Sequence, residues 1–334
     1  MAGTGTAHLR DDDDVLLRIA DVSVEYRSRR RVLNAVGGLN LDVKRGETLG
    51  LVGESGCGKS TTGRAIVQLP RPTSGRVWFD DIELTALSGE ELRRVRPRLQ
   101  MIYQDPIASL NPRRTVGEIL AEPLVVWRDL DRAQRRQLVD EVLDVVGLDP
   151  NVARHKRAQE FSGGQCQRIC IARALILKPE MLLCDEPVSA LDVSVQAQIL
   201  NLLKDLKDEY ELTMVFIAHD LAVVKNISDR VAVMYVGKLC EVGSADAVYR
   251  RPAHPYTVAL LSAVPIPDPD SRSEIATTEA EEPPTPQHTQ KGCPFRQRCP
   301  RAGAICRDVE PEIRRVDGGD HFVACHFPIV EVAR

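Results

Sequence analysis

The chain has 334 residues, a formal net charge of −4 and 43% hydrophobic residues. This length can bury one large core and a smaller appendage. The acidic balance gives no basic footprint for nucleic acid, and no apolar run approaches the ~18 residues that a membrane span needs. Because the N-terminus also lacks a signal-peptide pattern, we expect any membrane role to be peripheral and to act through partner proteins.

The first predicted region extends to about residue 94. Residues 1–15 include four successive aspartates, Asp11 to Asp14, which predict a solvated, disordered lead-in. From about residue 16 to 94 the sequence predicts short strands, a glycine-rich loop and the helix after it. The basic run 27–31 predicts a charged hairpin tip between two of these strands.

The glycine-rich loop is the most informative stretch of the chain. It consists of Gly53-Glu54-Ser55-Gly56-Cys57-Gly58-Lys59-Ser60, which fits G-x-x-x-x-G-K-[ST]. The apolar run 48–52 predicts a buried strand before the loop, and residues 61–69 predict a helix after it. Glycines let backbone N–H groups converge on a phosphate at a helix N-terminus, where the macrodipole favours an anion. Lys59 can then reach the β- and γ-phosphates and the Ser60 hydroxyl can bind Mg²⁺, so the loop predicts a nucleoside triphosphate site.

A mostly helical insertion is predicted from about residue 95 to residue 177. It contains two motifs, Met101-Ile102-Tyr103-Gln104-Asp105-Pro106 and Phe161-Ser162-Gly163-Gly164-Gln165. On its own, neither motif defines a chemistry.

Strands and helices return from about residue 180 to 245. The apolar run 181–184 predicts a buried strand that ends in two carboxylates, Asp185 and Glu186, with a helix N-cap pair or a solvated turn as the alternative. His219 follows another apolar run, which favours a position at a strand end, although a lone histidine is often only structural.

Six motifs, in this order, resemble those of ABC-type ATPases and cover roughly residues 20 to 250. They are the phosphate loop 53–60, Gln104, the signature-like segment 161–165, the carboxylate pair 185–186, the D-loop-like Ser189-Ala190-Leu191-Asp192, and Phe216-Ile217-Ala218-His219-Asp220 with its switch histidine. The resemblance implies an α/β fold, in which an ABC-type P-loop ATPase domain spans residues 16–265 and includes a helical subdomain at about 95–177.

The resemblance also implies roles for individual residues. Glu186 would polarise the attacking water, and His219 would sense the γ-phosphate and orient Glu186. Tyr26 lies where relatives place an aromatic ring that stacks on adenine, with local packing on a strand as the alternative. Mg²⁺ would be held by Ser60, Gln104 and, through water, Asp185. The other implied ATP contacts are Ser55, Gly56, Cys57, Gly58, Lys59 and Thr61.

In ABC ATPases the signature lies far from the phosphate loop of its own domain, so two domains dimerise head to tail. The signature would then cap the γ-phosphate held by the partner, at a helix N-terminus. The residues implied to act in this way are Ser162, Gly163, Gly164, Gln165 and Asp192. One position departs from the family pattern: Cys166 stands where relatives usually carry Arg or Lys. Since the Ser and Gly residues are intact, we expect an active site.

Further stretches resemble the dipeptide/oligopeptide (peptide/nickel) importer subfamily. They are Gln104-Asp105-Pro106, Ser109 to Arg113, Thr115 to Glu118, His254 to Thr257 and Leu260 to Pro265. This resemblance implies an ATP-hydrolysing subunit that powers import of di- or oligopeptides at the cytoplasmic face of the cell membrane. The implied partners are a second homologous ATPase subunit in a heterodimer, two membrane permeases and an extracytoplasmic peptide-binding protein. Nickel and antibiotic-peptide importers share the motifs, so the substrate stays open.

The alternative from a different class is a soluble ABC ATPase that acts on nucleic acid or ribosomes. Such proteins usually carry two ATPase cassettes in one chain, or a long coiled-coil or zinc insertion. This chain has a single phosphate loop, a single signature, no heptad run and an acidic balance, which argues against that alternative and against a nucleic-acid partner.

The C-terminal part contains a linker and a cysteine-rich tail. Residues 266–288 are rich in Pro, Glu, Ser and Thr, which predicts a linker, and the tail follows at 289–334. Four cysteines of the tail are spaced C-x5-C-x6-C-x18-C: Cys293, Cys299, Cys306 and Cys325. Zinc sites usually show tighter pairs, so this spacing, which relatives share, favours a [4Fe–4S] cluster over zinc or over unligated packing cysteines.

Overall fold

The computed structural model describes residues 5–28, 31–263, 291–316 and 319–329. Its contacts divide the chain into two compact units: unit 1 comprises Met1–Ala86 and Ile217–Arg334, and unit 2 comprises Leu87–Phe216. The predicted linker at 266–288 lies outside the described residues.

Strands and helices alternate along the described parts of the chain, as an α/β protein requires. The strands are β1 (Val15–Ser28), β2 (Arg31–Lys44), β3 (Thr48–Val52), β4 (Ser74–Phe79), β5 (Ile82–Glu83), β6 (Leu99–Ile102), β7 (Met181–Asp185), β8 (Thr213–Ile217), β9 (Arg230–Tyr235), β10 (Lys238–Ser244), β11 (Arg314–Arg315) and β12 (His321–Val323). The α-helices are α1 (Lys59–Ile66), α2 (Gly89–Val95), α3 (Pro106–Ser109), α4 (Val116–Trp127), α5 (Arg132–Val145), α6 (Pro150–Ala153), α7 (Gly163–Leu175), α8 (Val193–Tyr210), α9 (Leu221–Ile227), α10 (Ala245–Arg250), α11 (Pro255–Ser262) and α12 (Ile305–Asp308).

Unit 1 contains an antiparallel sheet with the strand order β2-β1-β4-β5. In this sheet β1 and β2 form a long hairpin, in which Leu17 is paired with Val43 and Ile19 with Leu41. These four side chains are buried, so one face of the hairpin supplies the core. Ser28 is paired with Arg31, and residues 29 and 30 of the predicted hairpin tip lie outside the described residues.

A second group of strands in unit 1 carries the phosphate loop. Strands β3 and β9 are parallel, and both are buried along their whole length. Fully buried, almost continuously apolar strands are typical of parallel pairs. Strand β9 continues through the antiparallel strands β10, β12 and β11. The cysteine-rich tail therefore extends a sheet of unit 1, since β12 comes from the tail.

The N-terminal segment differs from the predicted disordered lead-in. His8 is buried and its Nε2 lies 2.7 Å from the carbonyl oxygen of Asn40. The guanidinium of Arg10 donates to the buried carboxylate of Asp42, which also pairs with Arg230 at 2.7 Å. A hydrogen bond at His8 and an ion pair at Arg10 thus fix these two residues to distant parts of the chain, contacts that the local run of aspartates does not reveal.

Unit 2 contains the neighbouring strands β8, β7 and β6 together with helices α2 to α8. Strands β6 and β7 are parallel, with Ile102 opposite Cys184. Four helices start with a capping box, in which the N-cap side chain and the side chain three residues later bond to each other's backbone. The pairs are Ser88 and Glu91 (α2), Thr115 and Glu118 (α4), Asp131 and Gln134 (α5), and Ser162 and Gln165 (α7). Local sequence therefore sets where these helices begin.

In the described part of the chain, no helix combines the length and the apolarity that crossing a membrane requires.

Candidate functional site

The phosphate loop in unit 1 has a backbone that only glycine accommodates at two positions. Gly53 and Gly58 have φ angles of 152° and 104°, in the region that L side chains rarely adopt. A Cβ atom at Gly53 would overlap the carbonyl oxygen of Met234, and one at Gly58 would overlap that of Ala35. Gly56 also has a positive φ of 77°, but open space surrounds it. The loop is packed at its two ends and open in the middle.

Helix α1 leaves this loop with Gly58 as its N-cap, and no side chain caps it. The Lys59 side chain is buried and its Nζ donates to the carbonyl oxygens of Gly53 at 2.7 Å and Glu54 at 2.9 Å. Burial raises the pKa of the Cys57 thiol, so this residue contributes no anion to the loop. A helix start without a side-chain cap, next to a buried lysine, suits an anionic phosphate.

Two further predicted residues of unit 1 lie on the surface. Tyr26 is on β1 with 42% of its area exposed, which leaves its ring available for stacking. His219 is exposed, directly after the buried residues of β8 and two residues before α9, whose N-cap is Asp220. The strand-end position predicted for His219 is the one observed.

In unit 2 the predicted glutamine and the predicted carboxylates meet at the carboxyl ends of two parallel strands. Asp185 is the last residue of β7 and is fully buried. Glu186 follows with a φ of 47°, a conformation that costs energy for a non-glycine residue and concentrates at functional sites. Gln104 follows β6, and its Nε2 donates to Oε2 of Glu186 at 2.9 Å. The amide of Gln104 therefore orients one oxygen of Glu186.

The signature segment lies at the start of α7, with Ser162 as the N-cap. The Ser162 Oγ accepts a hydrogen bond from the Gln165 backbone N–H at 3.3 Å, and the Gln165 side chain accepts from the Ser162 backbone N–H at 3.0 Å. A Cβ atom at Gly164 would press against the Val195 side chain. Ser162, Gly163 and Gln165 are exposed, so the helix start faces solvent.

Asp192 and Cys166 complete the predicted residues of unit 2. Asp192 is exposed at the N-cap of α8, but its side chain makes no capping hydrogen bond. Cys166 is buried, and its Sγ lies 3.3 Å from the carbonyl oxygen of Ala158. The departure from Arg or Lys therefore places a small thiol inside unit 2.

The predicted Mg²⁺ ligands Ser60, Gln104 and Asp185 offer a hydroxyl, an amide and a carboxylate. These are oxygen donors, which Mg²⁺ prefers. The chemistry of the donor set therefore fits this ion.

The tail brings its four cysteines into one neighbourhood. Burial raises the pKa of the Cys325 thiol to about 11, and the nearby thiols of Cys293, Cys299 and Cys306 add to the rise. The Cys293 N–H also donates to the Cys306 carbonyl oxygen at 2.8 Å. Among the described residues, however, no three or more His, Cys, Asp or Glu side chains are arranged to hold a metal ion. The cluster stays a prediction.

Sequence reasoning missed two residues that contact the phosphate loop. The Tyr256 hydroxyl accepts a hydrogen bond from the Glu54 backbone N–H, and the Arg298 guanidinium pairs with the Glu54 carboxylate. Tyr256 belongs to the His-Pro-Tyr-Thr stretch that carries the subfamily resemblance, and nothing in the local sequence singles out Arg298.

Together, the glycine loop with its buried lysine, the strand-end carboxylates and the signature helix define an ATPase of the ABC class. Residues 36–189 match the family model "ABC transporter", and residues 240–306 match the model "Oligopeptide/dipeptide transporter, C-terminal region".

Proteins with similar sequences and structures support the same class. The chain is 51% identical over 323 residues to the oligopeptide transport ATP-binding protein OppF of Salmonella typhimurium, covering 93% of this chain and 96% of that protein. It is 49% identical over 317 residues to the putative oligopeptide transport ATP-binding protein YkfD of Bacillus subtilis, covering 93% and 95%. Among solved structures, the ATP-binding cassette MJ0796, a dimer in a post-hydrolysis state bound to ADP and Pi, matches with a TM-score of 0.63 and 31% identity over 69% of this chain and 98% of that one.

The chain belongs to the ABC transporter ATP-binding proteins, in the oligopeptide/dipeptide subfamily. It is therefore an ATPase, and the expected family and α/β fold are confirmed. The roles of individual residues stay predictions.

Proposed function

We propose that this chain is the ATP-hydrolysing subunit that powers import of di- or oligopeptides through a membrane ABC transporter. The observation that carries the proposal is the joint match of an ABC region at 36–189 and an oligopeptide/dipeptide C-terminal region at 240–306 in one chain. The 51% identity to an oligopeptide transport protein extends over both regions.

ATP binding is assigned to the phosphate loop of unit 1. Lys59, whose Nζ already bridges two loop carbonyls, binds the β- and γ-phosphates, and the uncapped start of α1 supplies N–H donors. The other loop contacts are Ser55, Gly56, Cys57, Gly58, Ser60 and Thr61, and Tyr26 stacks on the adenine. Ser60, Gln104 and, through water, Asp185 would hold Mg²⁺, which would neutralise charge on the phosphate oxygens.

Hydrolysis is assigned to Glu186 as the general base. Its hydrogen bond with Gln104 fixes the direction of one carboxylate oxygen. Its left-handed backbone conformation sets the direction in which the Glu186 side chain projects just beyond the end of β7. His219 senses the γ-phosphate and orients Glu186. A positioned base contributes typically about 10²- to 10⁴-fold in rate.

The signature acts on ATP held by a second ATPase subunit. Ser162, Gly163, Gly164 and Gln165 present an exposed helix N-terminus, which attracts a phosphate, and Asp192 lies exposed at the start of α8. A head-to-tail dimer brings such a signature to the partner's γ-phosphate. The related cassette MJ0796 is dimeric in its structure. For this chain we favour a heterodimer with a second homologous ATPase.

The full assembly adds two membrane permeases and an extracytoplasmic peptide-binding protein, with this chain at the cytoplasmic face of the membrane. The test is affinity purification of the full chain from detergent-solubilised membranes, with every co-purifying protein identified. Two multi-span permeases and a second ATPase support the proposal. Recovery with only soluble nucleic-acid or ribosomal partners would overturn transport and leave the ATPase assignment intact.

The tail cysteines are proposed to hold a [4Fe–4S] cluster. The four cysteine thiols of this short tail match the Cys₄ donor set of such a cluster, and the Cys293 N–H donates to the Cys306 carbonyl oxygen within it. The ligands are Cys293, Cys299, Cys306 and Cys325, and ligation supplies folding energy to a short tail. Anaerobic purification followed by iron and sulfide assays tests this assignment. A colourless protein with stoichiometric zinc, or with no metal, would contradict it.

A further inference from the structure

Glu54, the second residue of the phosphate loop, forms hydrogen bonds through three of its own groups: the backbone N–H, the carbonyl oxygen and the carboxylate. Its backbone N–H donates to the Tyr256 hydroxyl at 2.8 Å. Its carbonyl oxygen accepts from Lys59 Nζ at 2.9 Å. Its carboxylate receives two hydrogen bonds of 2.8 Å, one from each terminal nitrogen of Arg298. Glu54 therefore has little freedom to rotate.

Arg298 is itself fixed by aromatic rings. Its guanidinium carbon lies 5.8 Å from the ring centroid of Tyr235 and 5.8 Å from that of Phe295. The rings of Tyr235, Tyr256 and Phe295 form one cluster, with centroid distances of 4.6 to 5.4 Å. A planar guanidinium that stacks on rings and also forks onto a carboxylate is pre-organised for that carboxylate.

The ion pair is only partly buried, since the Arg298 and Glu54 side chains are each 25% exposed. Pairs with this exposure contribute little to overall stability. A bidentate pair does, however, impose direction as well as energy. The main effect of this ion pair is to fix the position of Glu54 and, with it, of the loop backbone.

We propose that Arg298 is a positioning residue for ATP binding, which acts through Glu54 on Lys59. Tyr256 holds the backbone N–H of Glu54, and Arg298 holds its carboxylate. The carbonyls of Gly53 and Glu54 then place Lys59 Nζ at the phosphates. The inference rests on the proposed assignment of loop 53–60 as the ATP site.

The two parts of the chain that match different family models are thereby coupled. Tyr256 and Arg298 belong to the region 240–306, which matches the oligopeptide/dipeptide C-terminal model, whereas the loop belongs to the ABC region 36–189. Arg298 directly precedes Cys299, so a change in the fold of the cysteine-rich tail would move a side chain that holds the loop.

The test compares Arg298→Gln with wild type, using the full-length chain and two readouts: Mg·ATP affinity from displacement of a fluorescent nucleotide, and the kcat and KM for ATP. Arg298→Gln is expected to weaken ATP affinity by about 2- to 5-fold, on the scale of a well-oriented, partly exposed ion pair. The KM should rise more than kcat falls, because Glu186 is untouched. Arg298→Lys, which keeps the charge but loses the fork, should give an intermediate affinity.

Arg296→Gln is the matched control. It removes an arginine from the same segment, but one whose Nη1 donates to the tail carbonyls of Lys291 and Cys293. It should leave ATP affinity unchanged. An equal loss in Arg296→Gln and Arg298→Gln would attribute the effect to general disruption of the tail and overturn the proposal.

A double-mutant cycle tests whether Arg298 acts through Glu54. Glu54→Gln breaks the same pair from the loop side, so the double variant Glu54→Gln/Arg298→Gln should bind ATP no more weakly than the weaker single variant. Fully additive losses would overturn the proposal. If Arg298→Gln does not fold, Glu54→Gln alone must show the loss of ATP affinity. Normal ATP binding by Glu54→Gln would then overturn the proposal.

Lys59→Ala separates the two levels of inference. If Lys59→Ala binds ATP normally, the assignment of the loop itself is wrong. If Lys59→Ala loses binding and Arg298→Gln binds like wild type, only the positioning role of Arg298 fails.

Discussion

Ser162 and Gln165 of the signature satisfy each other across one turn of α7, whereas Glu54 of the phosphate loop is held by residues 202 and 244 positions away. The signature helix start is thus shaped by its own sequence. The phosphate loop depends on α11 and on the cysteine-rich tail. Both segments are expected to contact ATP, but different changes would disturb them. A substitution within the signature would disturb the signature helix start, whereas a change in the C-terminal region would disturb the phosphate loop.

The largest expected effect is on the rate of hydrolysis, which is assigned to Glu186 in unit 2, whereas ATP binding is assigned to the loop in unit 1. Glu186→Gln should lower kcat by about 10²- to 10⁴-fold, because the amide cannot accept the proton of the attacking water. ATP affinity should stay near that of wild type. Steady-state ATPase assays and nucleotide binding on the same preparation check both statements, and near-normal hydrolysis would remove Glu186 from its assigned role.

The next effect concerns the loop itself. Lys59→Ala should weaken ATP binding by about 10- to 100-fold, since charge-assisted hydrogen bonds to phosphate are lost. A direct binding titration measures the change. Glu186→Gln serves as the control, because it alters the catalytic carboxylate and leaves Lys59 in place. Loss of binding in both variants would mean that binding and catalysis are not divided between the two segments as proposed.

A smaller effect is expected in the signature, where it tests whether neighbouring residues set the start of α7. Ser162→Ala should destabilise the protein by about 1 kcal/mol, since the N-cap acceptor of α7 is removed. Ser162→Asn keeps a capping oxygen and should recover the stability measured by urea unfolding. Neither variant should recover full ATPase activity if the Ser162 hydroxyl contacts the partner's γ-phosphate. Full activity in Ser162→Ala would restrict this residue to a capping role.

The smallest effect is a pH dependence in the C-terminal region that supports the loop. Burial lowers the pKa of His254 to about 4, so this ring is neutral in the folded chain while the unfolded chain binds a proton below about pH 6.5. The unfolded state then binds more protons, and stability falls as the pH drops from about 6.5 towards 4.

Between pH 8 and pH 5.5 the loss attributable to His254 should be about 1 kcal/mol in the free energy of unfolding. Urea denaturation at the two pH values measures it. His254→Asn retains an acceptor at the start of α11, where the His254 Nδ1 now accepts from the Tyr256 N–H, and should show a smaller pH dependence. The buried His8, whose pKa burial also lowers, adds a contribution that both proteins share. An unchanged pH dependence in His254→Asn would assign the acid sensitivity elsewhere.

The sequence alone determined the features that short stretches encode. The glycines of loop 53–60 predicted a phosphate-binding loop between a strand and a helix, the signature-like segment 161–165 was expected at a helix N-terminus, and the apolar run 181–184 predicted the strand that presents Asp185. Each depends on conformational preferences within a few residues, and the family resemblance added the order of the motifs along the chain and the roles they imply.

The distant side chains that support these features can be identified only in the folded chain. The N-terminal segment contacts Asp42 and Asn40, β12 of the tail is paired with β10, and Tyr256 and Arg298 hold Glu54. None of these contacts leaves a periodic or local trace in the sequence. They arise because burial and ion pairing select partners by their position in space and not by their distance along the chain.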